Sequence, residues 1–141
     1  MEVSIYIYIS HKGNFKGRGE TAALLEFTDS KGRVYTKTIK SSGDSTVNAL
    51  ALGIIVKALT LLIRPCQVII HTGSRYIKSC VINGWLGKWQ QAGWIKADGS
   101  TPANLGLWKE FYTLSQIHKI KFMPYKERQE FKITGRGENN G

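Results

Sequence analysis

Residues 3–10 alternate Val3, Ile5, Ile7 and Ile9 against Ser4, Tyr6, Tyr8 and Ser10, the two-residue period of a strand. Residues 11–19, HKGNFKGRG, form a glycine-rich turn. Residues 20–28 read as a second strand, although Ala22-Ala23-Leu24-Leu25 also suits a helix. Asp29-Ser30-Lys31-Gly32 reads as a hairpin turn in which Gly32 supplies a positive φ. Residues 33–40 are a third strand with β-branched alternation. The polar stretch 41–44 is expected to break it. Asp44 or Ser45 is expected to cap a central helix over about 46–62, and Pro65 to stop it.

Residues 66–72 lack polar alternation, as in a strand buried on both faces. A helix follows from Ser74, then a helical piece around 85–92, a Gly/Ser/Thr/Pro loop over 98–103 and a helix over about 104–117. Residues 118–125 read as a last strand, with Ile120 and Phe122 alternating with Lys119 and Lys121. From Lys126 the chain turns polar. Three meandering strands followed by parallel pairing through helical crossovers predict an α/β fold with a five-stranded mixed sheet. The expected division is one domain over 1–126 and a polar tail over 127–141, too short and too polar for a closing helix.

With 141 residues the chain suits a single hydrophobic core. No run of eighteen apolar residues occurs, so no membrane-crossing helix is expected. The start, Glu2 followed by alternating β-formers, is unlike a secretory signal. Cys66 and Cys80 lie in apolar settings and read as buried thiols of a reducing cytoplasm; a disulfide between them is the weaker alternative. Twenty Lys/Arg against ten Asp/Glu give a net charge of +10, which favours a polyanionic partner. His11, His71 and His118 have no ligand spacing, so a zinc site is not expected.

Two stretches are more specific. Val68-Ile69-Ile70 leads into Thr72-Gly73-Ser74, then a helical pattern with Tyr76, Ile77 and Val81. GWLGKWQQAGWIKADGSTPANLGLW, residues 84–108, places tryptophans at 85, 89, 94 and 108. One helical Trp pair is ordinary core; four in this register, after Thr-x-Ser-x-Tyr, are harder to reach by chance. Together they resemble the type 1 ribonuclease H family over roughly residues 3–126, and the resemblance implies that family's fold.

The resemblance also implies a site. Activity in the family depends on four carboxylates holding two Mg²⁺ ions that activate water and stabilise the leaving oxygen of the cleaved RNA strand. The matching positions here are Ser10, Asn48 and Gly73, and the fourth lies beyond residue 126. None of the three is a carboxylate, so no metal cofactor and no enzymatic activity are expected. Asp44, Glu127 and Glu130 are the candidates for a relocated ligand, with capping and solvated surface as their ordinary roles.

The implied binding surface is better preserved. Tyr76, Trp85 and Trp89 match aromatics that channel the DNA strand in animal-type members, where flat rings add affinity without reading sequence. Packing is an equally good account of these three, and the better one for Trp94 and Trp108. Asn104 matches a phosphate-binding Asn, but Ser41 and Gly43 stand where its Arg and Thr partners belong. Arg75, Lys88 and Lys96 add positive charge. The glycine-rich turn precedes a strand and is not a P-loop.

Three functions compete. The first is a non-catalytic ribonuclease H-like protein that binds an RNA/DNA hybrid or duplex RNA. The second is a protein–protein scaffold or homodimer on a degenerate fold. The third is a ribonuclease H with a rebuilt metal site.

Overall fold

The computed structural model describes residues 1–11 and 17–126. Strands β1 (Glu2–His11), β2 (Gly17–Thr28) and β3 (Val34–Ser45) precede helix α1 (Val47–Thr60) and strand β4 (Gln67–His71). Helices α2 (Arg75–Ile82), α3 (Trp85–Gln91) and α4 (Leu105–Ile117) follow, then strand β5 (Lys119–Met123). The sheet order is β3-β2-β1-β4-β5, antiparallel in the first three strands and parallel across β1, β4 and β5. This is the five-stranded mixed sheet that the strand and helix periods predict. The expected absence of a closing helix concerns 127–141 and lies outside the described residues.

The core forms where one face of the sheet meets α1 and α4. Val3, Ile5 and Ile7 of β1 and Val68 and Ile70 of β4 pack there against Leu52, Ile55 and Leu59 of α1 and Trp108 and Phe111 of α4. Seven of the fourteen α1 residues are buried, so burial rather than intrinsic propensity holds this central helix. The opposite face carries a smaller buried cluster of Tyr6, Ala22 and Leu24.

Three local expectations are corrected and a fourth is met. The strand β3 runs through Ser45 instead of breaking at 41, because Ser41–Ser45 pairs with Gly17–Thr21 of β2. Ladder hydrogen bonds come from backbone and do not require apolar side chains. The cap of α1 is therefore neither Asp44 nor Ser45, which lie in the strand, but Thr46, whose hydroxyl accepts from the Ala49 N–H at 3.1 Å. Strand β4 is buried fully on one face only: Val68 and Ile70 are inside, Ile69 is half-buried and Gln67 is exposed. The hairpin turn is as expected, with Gly32 at φ 81° and the Asp29 carboxylate accepting from the Lys31 and Arg33 N–H groups at 2.9 Å.

Candidate nucleic-acid interface

The handle is built from α3 and the loop to α4. Gly84, in the left-handed region, turns the chain sharply out of α2 and starts α3. Trp85 and Trp89 then stand one helical turn apart on the same side. With Tyr76 of α2, Lys88 and Lys96 they line a groove of about 840 Å³. Cys80, Ile95 and Pro102 complete its apolar wall, and no motif in the sequence marks them. Trp85 is 42% exposed, Trp89 and Tyr76 are half-buried, and both lysines are exposed.

Each ring also has a packing partner. Trp108 is fully buried; its indole N–H donates to the Tyr76 hydroxyl at 3.1 Å. Trp89 meets the Trp108 ring edge-on at 6.3 Å. Burial pushes the Tyr76 phenol above its ordinary value of 10.0, with the hydrogen bonds from Trp108 and Asn104 opposing the rise. The side chain of Asn104 thus reaches Tyr76, while its backbone takes the left-handed conformation that starts α4. Trp94 pins the handle: its ring contacts Tyr112 edge-on at 5.8 Å, with the Lys109 ammonium 6.0 Å from its centroid. The Cys80 thiol is pushed up by burial, and Cys66 and Cys80 are both free and buried.

A second cleft, of about 470 Å³, lies where β1 and β4 end beside the start of α1. Asn48 and Gly73 line it together, but Ser10 does not. The parallel register pairs Tyr6 with His71, which carries Tyr8, not Ser10, to the level of Gly73. Tyr8 lines the cleft, whereas Ser10 pairs with Glu20 further along the β1–β2 ladder. Arg75 also lines this cleft and not the handle groove, in contrast to its expected place beside Lys88 and Lys96. Gly73 is not demanded by the backbone: among the described residues a Cβ there would meet only the Cβ of Tyr125, at 3.7 Å.

A model of the RNase H family matches residues 1–126. The chain belongs to the ribonuclease H family. The ribonuclease H of Chlorobium chlorochromatii is 34% identical over 125 residues, covering 89% of this chain and 82% of its own. That of Cupriavidus necator is 35% identical over 121 residues, covering 86% and 79%. In fold the chain is similar to LC9-RNase H1, a type 1 RNase H with the type 2 active-site motif. The TM-score is 0.73 at 24% identity, over 91% of this chain and 64% of that one. It is also similar to the foamy viral protease-reverse transcriptase in complex with RNA/DNA hybrid (TM-score 0.62, 17% identity), covering 99% of this chain and 18% of that one.

These ribonuclease H relatives overturn the expectation of a protein that is not an enzyme. Their common name is that of an enzyme family. Three substituted positions do not by themselves abolish activity, because ligands can be supplied from other positions around a strand end. The described residues do not themselves fit the pair of Mg²⁺ ions the family implies. Tyr8, Asn48 and Gly73 offer no carboxylate to hard cations that need several. Nor does any group of three or more His, Cys, Asp or Glu suited to a metal occur among the described residues. Asp44 is an exposed strand residue 4.0 Å from Arg18, and Glu127 and Glu130 lie outside the described residues. No helix among the described residues is long and apolar enough to cross a membrane.

Proposed function

We propose that this ribonuclease H family member engages RNA/DNA hybrid duplexes through its handle, with one strand laid along Tyr76, Trp85 and Trp89. Lys88 and Lys96 hold its phosphates and Asn104 supports Tyr76 at the groove wall. The observation that carries this reading is the groove itself: three aromatic rings and two exposed lysines on one surface of a protein with a net charge of +10. Aromatic faces take sugars and bases without sequence preference, and lysines beside them neutralise phosphate. Duplex RNA shares the backbone charge and is the nearest competitor. The two free buried thiols suit a reducing compartment, and we place the protein in the cytoplasm.

The test is a titration against hybrid, duplex RNA, duplex DNA and single strands at two salt concentrations. Hybrid should bind tightest, with an affinity that falls steeply with salt. Equal, weak, salt-insensitive binding to all of them would contradict the reading.

A further inference from the structure

The cleft at the ends of β1 and β4 is lined by Tyr8, Asn48, Thr72, Arg75 and Tyr125, around Gly73. Among the described residues its only charged lining residue is a cation, Arg75. Arg75 is exposed and forms no ion pair or side-chain hydrogen bond among the described residues. The sign of that lining is wrong for a divalent cation, which needs carboxylate oxygens, and right for an anion. A guanidinium presents a planar fork of donors that matches two phosphate oxygens, and the Asn48 amide adds a neutral donor on the facing helix. Tyr8 and Tyr125 give the cleft aromatic walls able to flank a sugar or a base.

We infer that this cleft seats a backbone phosphodiester of the bound duplex directly on Arg75, so that no divalent cation is needed to hold it. The inference rests on the reading of the protein as a hybrid binder and assigns the duplex a second contact, apart from the handle groove. Gly73 contributes by leaving room: without a side chain it neither fills the cleft nor places an acid beside Arg75.

The test measures hybrid affinity of the full chain by fluorescence anisotropy, in Mg²⁺ and in EDTA at matched ionic strength. Wild-type affinity should be the same in both. Arg75→Gln should weaken binding about tenfold or more in both, the scale of one charge-assisted contact. Lys78→Gln, which removes the same charge one turn further along α2, should weaken it much less. Gly73→Asp should weaken binding in EDTA by setting a carboxylate against the phosphate. Binding that is lost in EDTA and restored by Mg²⁺ overturns the inference, as does an Arg75→Gln protein that behaves like Lys78→Gln. Trp85→Ala, measured alongside, separates the two readings. Loss in Trp85→Ala with no effect of Arg75→Gln leaves the handle reading standing and removes this one. The converse removes the handle reading and keeps this one. A wild-type chain that binds no hybrid at all removes both.

Discussion

The indole N–H of Trp108 donates to the hydroxyl of Tyr76 at 3.1 Å, tying a fully buried core ring of α4 to a half-buried ring at the wall of the handle groove. The same phenol therefore serves the fold through its oxygen and the groove through its face.

Tyr76→Phe separates these roles. It leaves the Trp108 N–H without its acceptor in a buried setting, which costs about 1–3 kcal/mol of stability. The flat ring remains, so hybrid affinity should stay close to wild type. Chemical denaturation together with a hybrid titration reads both; an affinity loss at full stability would mean that the hydroxyl itself contacts nucleic acid.

Gly19 and Gly73 should respond to substitution in opposite ways. A Cβ at Gly19 would stand 2.5 Å from Leu50 Cδ1 and 3.2 Å from the Ser10 carbonyl oxygen. Gly19→Ala should destabilise the protein by about 1–3 kcal/mol through overpacking. A Cβ at Gly73 would make only an ordinary contact, 3.7 Å from the Tyr125 Cβ, and Gly73 has no positive φ, so Gly73→Ala should be neutral or stabilise by up to ~1 kcal/mol through the unfolded chain. Urea midpoints of the two variants decide the matter, and equal losses would contradict it.

Much of this was legible in the sequence, and the reasons for the rest are local. Alternation at Val3, Ile5 and Ile7 and the apolar run at 68–70 mark core strands because one face of the sheet is dry. The tryptophan register places Trp85 and Trp89 on one side of a helix because helical spacing is fixed. The polar stretch 41–44 reads as a strand break, although it is paired, because strand pairing of backbone leaves no apolar trace. Tyr8 rather than Ser10 reaches the strand-end cleft because register between β1 and β4 is a tertiary fact. Whether the protein is an enzyme could not be read from three aligned positions, since a metal ligand is defined by where its oxygen lies and not by its place in the chain.

His118 is another residue whose role no spacing revealed. Its Nδ1 accepts from the Cys66 N–H at 3.1 Å, and burial holds the imidazole below its ordinary value of 6.5. The neutral ring is the one that can accept this bond. Above pH ~6.5 both the folded and unfolded states carry it neutral, and its full contribution is present. As pH falls below that value the unfolded state takes up the proton first, so stability declines towards the lower folded value. Thermal midpoints between pH 8 and pH 5 should show this decline, and His118→Gln, which retains an acceptor, should flatten it. A wild-type midpoint that rises on acidification would refute the assignment.

The handle face is tested most directly by the hybrid affinity of Trp85→Ala. Trp85 is the most exposed of the groove's three rings, so its removal should cost about 1 kcal/mol of stability or less. With the fold verified by circular dichroism, the variant should lose about 1–3 kcal/mol of hybrid binding, the range for one base–aromatic contact. A correctly folded Trp85→Ala protein with wild-type affinity for the hybrid at both salt concentrations would contradict the account.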